Sequence, residues 1–451
     1  MLEYAISMWR RYSLWPDITV MHSGDESAGK TVDEMTADKV RSEPAQKSFF
    51  SDVMAVLSAS DRVALSTETF LGSAGEFSAP QQCQDGQNGK AAAKFGNLGA
   101  GHPSSPGAVA GKCRMEKPNL ICLTPVKNEA WILSRFLKCA SLWADHIVVA
   151  DQHSDDGSRE IARSFEKVIL VDNEDIDGID ENERRKILFE EARKFHGPRV
   201  LVALDADEVL TPNVLASSQW QAAINAPPGT SFGVKWANIR PNLQQYWTPP
   251  YHIRIGYVDD GAEYRCGKIN APRVHSSPDI PCRQLDDIVL MHYQYTDWER
   301  MESKHRWYKC WEKVNDPHRS AISIYRQYHH MYAIGPADLH LIPSWWFEDY
   351  QAIGIDMTTV VRDQTFHWER STLQYMARYG PAFFSKLDVW DIDWTKVART
   401  HNVPDANALG DPRTRLEMLI HHWLWSTQPR AAGPLVRILD RLLRLLSFNK
   451  W

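Results

Sequence analysis

The residues of this chain with the clearest chemical potential are two aspartates, Asp205 and Asp207, which directly follow an apolar run at 200–204. Side chains repeat every second residue on an extended backbone, so both carboxylates face the same side and can approach one ion. Mg²⁺ and Mn²⁺ prefer oxygen ligands and are commonly completed by the phosphate groups of a substrate. The pattern therefore predicts a divalent-cation site at this pair. The alternative is structural, because Asp207 or Glu208 could cap a helix that begins near Pro212.

Polar residues also follow the other apolar runs of this region. A polar tripeptide at 127–129 comes after a run at 119–126, and an acidic loop at 151–158 follows a run at 147–150. In open parallel sheets, ligands bind beyond the carboxyl ends of the strands. If these runs are neighbouring strands, their polar ends meet Asp205 at one edge of a sheet.

The segments between these runs repeat apolar residues at helical spacing. Strands are predicted at 119–126, 146–151, 168–171 and 200–204, and helices at 129–143, 158–165 and 180–195. This alternation indicates βαβ units and a parallel sheet. The strands are almost entirely apolar, which is typical of a sheet with helices on both faces. We therefore predict an α/β fold with a mainly parallel central sheet that begins near Lys117.

Three motifs of this region resemble those of family-2-like glycosyltransferases of the GT-A fold. They are Thr124-Pro125-Val126-Lys127-Asn128-Glu129, Val149-Ala150-Asp151-Gln152-His153-Ser154-Asp155-Asp156-Gly157-Ser158 and Leu204-Asp205-Ala206-Asp207-Glu208. Their order and spacing are together much more specific than any one of them. The resemblance covers residues 117 to about 310, and it implies a nucleoside diphosphate sugar as donor and Mg²⁺ or Mn²⁺ as metal.

The resemblance also assigns roles to residues of the motifs. It implies that Pro125, Asn128 and Glu129 lie by the nucleotide, that Asp151 contacts the base, that Asp205 contacts the ribose and that Asp207 holds the metal. The residue type agrees at Asp151, because a carboxylate at a strand end can accept from a base or ribose donor. Asp155 and Asp156 are explained equally well as turn and cap residues.

Downstream of the motifs, an apolar run at 288–291 leads to His292. Many relatives have a histidine that returns to the metal or the diphosphate, so the resemblance makes His292 a candidate ligand. A lone histidine after an apolar strand is otherwise more often packed and hydrogen-bonded. Lys304, on the cationic helix that follows, could reach a phosphate or lie on a solvated helix face.

Inverting members of the family use an acidic side chain to take the proton from the acceptor hydroxyl. Asp286 and Asp287 directly precede the strand that leads to His292, and they are the candidates for this base. The surrounding region departs from the more familiar family pattern, which leaves the base and the stereochemical outcome open.

These observations favour a metal-dependent glycosyltransferase, inverting, that acts on a glycan or lipid-linked acceptor, as its relatives do in polysaccharide and lipopolysaccharide assembly. A nucleotidyltransferase is one alternative, but such enzymes typically open with a Gly-rich loop, and residues 124–129 contain no glycine. A sugar-nucleotide-binding protein without catalysis is the other. Asp205 and Asp207 argue against that loss, whereas the unidentified base leaves it open.

The composition is that of a soluble globular protein. The 451 residues carry a formal net charge of -6, which provides no field for nucleic acid. Seven cysteines without a C-x-x-C pair predict neither a disulfide framework nor a zinc knuckle, and favour a reducing cytoplasm. The order of residues at the N-terminus is wrong for a signal peptide, and no run approaches a membrane-spanning length.

Changes of composition along the chain predict four segments. They are an N-terminal segment 1–71 without a defined pattern, a disordered linker 72–116 rich in Gly, Ser, Ala, Pro and Gln, a catalytic domain 117–315, and a mainly helical extension 316–451.

The tail at 434–451 is predicted to form a basic amphipathic helix. One face carries Leu435, Ile438, Leu439, Leu442, Leu445 and Leu446, and the opposite face carries Arg437, Asp440, Arg441 and Arg444. Such a helix can dock its apolar face on the protein, or lie in an anionic membrane surface as a peripheral contact. Docking is slightly favoured.

Overall fold

The computed structural model of the chain describes residues 117–173, 181–264, 272–277, 279–403, 409–446 and 451. The predictions for the N-terminal segment 1–71 and the linker 72–116 lie outside these residues. Within the described ranges, no helix combines the length and the apolarity that crossing a bilayer requires.

A mixed sheet of ten strands lies at the centre of the fold. The strands are β1 (Asn119–Val126), β2 (His146–Asp151), β3 (Val168–Asp172), β4 (Arg199–Ala203), β5 (Glu208–Leu210), β6 (Ser231–Ile239), β7 (Gln245–Trp247), β8 (His252–Val258), β9 (Cys282–His292) and β10 (His340–Leu341). Four neighbours, in the order β4-β1-β2-β3, are parallel. Beyond β4 the sheet continues through antiparallel β8, β6, β7 and β10, and β9 pairs with both β6 and β5.

The eleven α-helices of the described residues first alternate with the strands, as predicted, and then follow β9 as a helical part. α1 (Ala130–Trp143), α2 (Ser158–Arg163), α3 (Glu181–Ala192) and α4 (Ser218–Ile224) lie between the strands. After β9 come α5 (Trp298–Asn315), α6 (Ala321–Tyr328), α7 (Trp345–Ala352), α8 (His367–Tyr379), α9 (Trp394–Thr400), α10 (Arg415–Thr427) and α11 (Pro434–Leu446). The predicted α/β class and the helical C-terminal part are confirmed.

The continuous apolar strands have the expected cause. Leu120 and Cys122 of β1 pack in one apolar core, whereas Ile121 and Leu123 pack in a second core on the other face. Because successive side chains of a strand point to opposite faces, a sheet covered on both faces needs apolar residues at every position. The parallel strands are thereby fixed, and their carboxyl ends form a stable edge.

The helical part has its own apolar core, in which side chains of α5, α6, α8, α9 and α10 meet. α5 begins at Asp297, whose carboxylate accepts the backbone N–H of Arg300 at 3.2 Å. α8 ends at Gly380, where φ is 79°, a conformation that glycine adopts without strain. These ends fix the two helices that face the carboxyl edge of the sheet.

Helix α11 docks on the protein, but not through the predicted face. Val436 is 7% exposed, and buried Asp440 accepts from Arg326 of α6 at 2.9 Å. The expectation that docking buries the leucine face is wrong, because Leu435 and Ile438 are 68% and 57% exposed. The helix uses a narrower face, centred on Val436 and Asp440, for its contact with the other helices.

The cysteines differ from one another. Cys122, Cys139 and Cys310 are buried free thiols, whereas Cys282 is disulfide-bonded. The bond at Cys282 does not fit a reducing cytoplasm, where stable disulfides are rare. The predicted compartment therefore stays a prediction.

Candidate functional site

A cavity of about 210 Å³ lies at the carboxyl ends of β1, β2 and β4. One wall comes from strand ends and the loops after them, and it includes Pro125, Glu129, Asp205 and Asp207. The opposite wall comes from α5 and α8 and includes Lys304, Trp307, Tyr308, Trp368 and Tyr375. This is the edge at which open α/β sheets bind their ligands.

Asp205 is held by two arginines. Its Oδ1 accepts from Nη2 of Arg185 and its Oδ2 accepts from Nη2 of Arg273, both at 3.1 Å. Arg273 also pairs with Glu208, whose carboxylate accepts the backbone N–H of Asp205 at 2.9 Å. Burial alone would raise the pKa of Asp205, but the charges of Arg273 and Arg185 hold it well below its usual value. Asp205 is thus a fixed anion on the cavity wall.

Asp207 lies against His292. The pairing of β5 with β9 sets Glu208 opposite His292, and Nε2 of this histidine lies 3.6 Å from Oδ2 of Asp207. Nδ1–H of His292 donates to Oδ1 of Asn238 at 2.7 Å, and its ring stacks on Trp236. Burial opposes ionisation of Asp207, but the imidazole of His292 holds the pKa of Asp207 below its usual value.

Asp207 and His292 lie close enough together to act as two of the ligands of one small divalent cation. When the ring is neutral, the hydrogen bond from Nδ1 to Asn238 leaves the lone pair on Nε2, the atom that faces Asp207, as in metal-binding histidines. Asp205 is less suited as a third ligand, because the positive charges of Arg185 and Arg273 lie against its two oxygens and repel a cation there. Among the described residues, no group of three or more His, Cys, Asp or Glu side chains could hold a metal ion. Two protein ligands suit Mg²⁺ or Mn²⁺, which keep positions for water and substrate phosphate.

The two predicted nucleotide contacts after β1 have different surroundings. Glu129 lines the cavity, lies 3.2 Å from Nη2 of Arg300, and accepts from Nε1 of Trp131 at 2.6 Å. Burial raises the pKa of Glu129 although Arg300 opposes the shift. Asn128 has a φ of 55°, and its side chain exchanges two hydrogen bonds with Asp155. Asn128 therefore ties the loop after β1 to the loop after β2.

Asp151 ends β2 and is 1% exposed. Its Oδ2 accepts from Arg159 at 2.7 Å and from the backbone N–H of Ser154 at 3.1 Å. Its Oδ1 is buried and has no hydrogen-bond partner among the described residues. Buried polar atoms rarely lack a partner. Ala150 and Gln152, the neighbours of Asp151 in the chain, line the cavity, whereas Asp151 itself is not part of the lining.

Lys304 is the cation of α5 that reaches the cavity. Its Nζ lies 5.9 Å from the ring centroid of Trp368 on α8. Burial acts to lower the pKa of Lys304, but the charges of Tyr308, Asp207 and Glu129 raise it above its usual value. The sequence allowed two positions for this lysine, and the prediction that it lies on a solvated helix face is wrong.

Arg185 is another cationic group of the cavity, whose lining also includes Lys127 and Arg184. Arg185 is 6% exposed, and its Nη1 has no hydrogen-bond partner among the described residues. Sequence reasoning missed both Arg185 and Arg273. Arg185 stands in a helix of mixed charges, and Arg273 stands in a segment without a motif, so no local signal distinguishes them from surface arginines.

The predicted bases are not brought to this cavity. Asp286 is 59% exposed and lies 3.2 Å from Nε2 of His252 and 3.5 Å from Nζ of Lys235. Asp287 accepts from Oγ of Ser217 at 2.8 Å. His292 lies five positions after Asp287 on β9, which is roughly 16 Å at a rise of about 3.3 Å per residue. The assignment of a base to either residue stays a prediction.

No family model matches the chain, and no curated protein is similar to it. Mannosyl-3-phosphoglycerate synthase from Rubrobacter xylanophilus has 19% identity and a TM-score of 0.22 over 28% of this chain and 41% of its own length. Glucosyl-3-phosphoglycerate synthase from Mycobacterium tuberculosis, in complex with Mn²⁺ and uridine diphosphate, has 13% identity and a TM-score of 0.20 over 26% and 44%. CMP:2-keto-3-deoxy-manno-octonic acid synthetase with CTP has 13% identity and a TM-score of 0.23 over 37% and 89%.

The chain thus spans less than half of the length of either phosphoglycerate synthase. At TM-scores this far below 0.5, these structures carry no argument about the chain.

Proposed function

We propose that this chain is a metal-dependent glycosyltransferase, family-2-like and of the GT-A class, which uses a nucleoside diphosphate sugar as donor. The observation that carries the proposal is the meeting of Asp207 and His292 beside a cavity at the carboxyl edge of the sheet. The three motifs whose order resembles that family supply the residues on the strand side of this cavity.

The donor nucleotide would bind along the strand ends. Pro125 and Glu129 line the cavity, and Asp151, whose Oδ1 has no partner among the described residues, would accept an N–H of the base. Asp205 can accept a ribose hydroxyl, because a carboxylate oxygen that binds one arginine N–H keeps a second lone pair. Asn128 would act indirectly, by holding the two nucleotide loops together.

The diphosphate would lie between Asp207 and the helical wall. Asp207 and His292 would hold Mg²⁺ or Mn²⁺, which supplies positive charge to the phosphate oxygens. Lys304 and Arg185 line the same cavity and would neutralise further charge as the diphosphate leaves. In the transfer, the bond between the sugar and the diphosphate breaks, a bond to an acceptor hydroxyl forms, and the hydroxyl proton goes to a base.

Asp286 and Asp287 remain our candidates for this base, and we propose an inverting outcome. Neither residue lines the cavity, so the resemblance is the only support for both proposals. The resemblance also supports a glycan or a lipid-linked molecule as the acceptor. Action in the cytoplasm, at the periphery of a membrane, belongs to the same proposal. The resemblance further supports a role in polysaccharide or lipopolysaccharide assembly.

A panel of nucleotide sugars with Mn²⁺ tests the proposal without knowledge of the acceptor. We expect one nucleoside diphosphate to raise the melting temperature, and the matching sugar donor to be hydrolysed slowly to that diphosphate. The Asp207→Asn variant is the matched control. Release of pyrophosphate from a nucleoside triphosphate and a free sugar would identify a nucleotidyltransferase instead. Nucleotide stabilisation without hydrolysis of any donor would favour a binding protein.

A further inference from the structure

The outer surface of α11 carries an apolar stripe that is exposed among the described residues. Leu435, Ile438, Leu442 and Leu445 are 68%, 57%, 42% and 52% exposed. Their spacing of three and four residues places them in one row along the helix. Scattered single exposed leucines are ordinary, but a continuous row of four on one helix indicates an interaction surface.

The stripe is mounted rigidly, because the opposite side of α11 is anchored. Both carboxylate oxygens of Asp440 accept from Arg326, at 2.9 and 3.0 Å, and Nε1 of Trp423 donates to the same carboxylate at 3.1 Å. Asp440 is the only acidic residue of the helix, and it is turned inward with 4% of its surface exposed. The outer face therefore carries no negative charge of its own.

Cations lie beside the stripe. Arg437 and Arg441 are exposed, and neither makes an ion pair with a described residue. Arg441 is three residues after Ile438 and four residues before Leu445, so it is a neighbour of both on the helix surface. A row of apolar side chains with arginines along its edge is typical of helices that lie in the interface of an anionic membrane.

A second copy of the chain fits this surface less well. Leu445 lies ten positions after Leu435, which is about 15 Å of helix. A stripe about 10 Å wide offers roughly 150 Å², well below the roughly 800 Å² that each partner buries in a stable interface. Two copies would also bring the arginines of both helices together without acidic partners.

We infer that the outer face of α11 docks on an anionic phospholipid surface. The stripe would lie at the boundary between headgroups and acyl chains, with Arg437 and Arg441 at the phosphates. This deepens the proposed function and rests on it, because it brings the chain to a surface where a lipid-linked acceptor is presented. The contact is shallow and reversible, since four apolar side chains and two charges are too few for permanent insertion.

Co-sedimentation of the full chain with vesicles tests the inference. The vesicles are phosphatidylcholine with 30% phosphatidylserine, or phosphatidylcholine alone. We expect binding to the anionic vesicles at low salt, at least tenfold weaker binding at 0.5 M NaCl because of screening, and little binding to the neutral vesicles. Absence of binding to anionic vesicles at low salt would overturn the inference.

Two variants separate the apolar and the cationic parts. Leu435→Gln with Leu442→Gln, and Arg437→Glu with Arg441→Glu, should each weaken vesicle binding at least tenfold. Both pairs are exposed, so the fold should be retained. Leu416→Gln, which alters a leucine of α10 that is 49% exposed, and Arg362→Glu with Arg415→Glu are the matched controls and should bind as the unaltered chain does.

Two further measurements keep the alternatives apart. Light scattering after gel filtration should report the same mass for the unaltered chain and for the Leu435→Gln, Leu442→Gln variant, and a dimer lost in that variant would show that a second copy covers the stripe. Donor hydrolysis should be unchanged in all α11 variants. Vesicle binding without donor hydrolysis in any chain would overturn the proposed function but not the membrane contact.

Discussion

Nε2 of His292 lies 3.6 Å from Oδ2 of Asp207, at the point where β9 and β5 pair. The two residues come from distant parts of the chain, and both are almost fully buried. The opposite ring nitrogen of His292 is bound to Asn238. Asn238, His292 and Asp207 thus form a series of contacts that ends at the cavity. The first two predictions concern these contacts.

Asp207→Asn should abolish metal-dependent donor turnover while the fold is retained. The substitution preserves volume but removes the charge that attracts a divalent cation, and we expect a loss of at least about 100-fold in kcat. Release of nucleoside diphosphate is measured against Mn²⁺ concentration, and circular dichroism checks the fold. Asp349→Asn, at an exposed aspartate of α7, is the control. Undiminished turnover at limiting Mn²⁺ would remove the metal assignment.

Asn238→Ala should weaken Mn²⁺ binding about tenfold, because Asn238 is a positioning residue that fixes the tautomer and orientation of His292. Unlike Asp207→Asn, this variant should regain most of its kcat at saturating Mn²⁺. The measurement is the Mn²⁺ concentration at half-maximal rate, together with the maximal rate. An equal loss of rate at every Mn²⁺ concentration would contradict a role that acts through the metal.

Asp151→Asn should raise the Kd of the nucleoside diphosphate about tenfold or more, because a hydrogen bond to a charged acceptor contributes about 1.5–3 kcal/mol. Asp172→Asn is a close control, since Asp172 also binds Arg159, at 2.6 Å, but lies exposed. Calorimetric titration measures both Kd values. Equal effects of the two substitutions would indicate that Asp151 only holds Arg159.

The sequence predicts the parallel half of the sheet well, because each of its strands and helices has a local apolar period. The antiparallel extension through β8, β6 and β7 was not predicted. Its strands are joined by irregular segments, and pairing between distant strands leaves no period in the sequence. The same limit applies to β9, whose apolar end at 288–291 predicts a strand but not its pairing with β5.

The site divides in the same way. The residues after β1, β2 and β4 could be named from their position at strand ends, and Pro125, Glu129, Asp205 and Asp207 do line the cavity. Residues that reach the cavity from elsewhere could not be named. Trp368 and its neighbours on α8 belong to the extension 316–451, which is predicted only to be mainly helical, so nothing in the prediction indicates which other element this helix faces.

Lys304→Met should lower kcat about 100-fold with a smaller effect on KM, because a cation that neutralises a leaving diphosphate acts mainly in the transition state. Lys304→Arg keeps the charge and should restore part of the rate. Lys313→Met, at a lysine of the same helix that does not line the cavity, is the control. A rise in KM with unchanged kcat would mean that Lys304 binds the donor equally in the ground state and the transition state.

The pH dependence of stability should report on Glu302 of α5. Burial raises the pKa of Glu302 to about 7, although Arg306, at 3.5 Å, opposes the shift, and Tyr332 donates to its carboxylate at 2.6 Å. An unfolded chain has a glutamate pKa of about 4.3. Between these two values the folded state keeps a proton that the unfolded state has lost, so the free energy of unfolding falls as pH rises.

The stabilisation from Glu302 is complete below the unfolded pKa and is lost as pH rises through about 7, and its size is on the order of 3 kcal/mol. Glu302→Gln cannot ionise, so its stability relative to the unaltered chain should increase by about that amount from pH 5 to pH 8. Urea unfolding at each pH measures the difference. Glu299→Gln, at an exposed glutamate of the same helix, should give a constant difference. A constant difference for Glu302→Gln as well would mean that its carboxyl group ionises as easily in the folded chain as in the unfolded one.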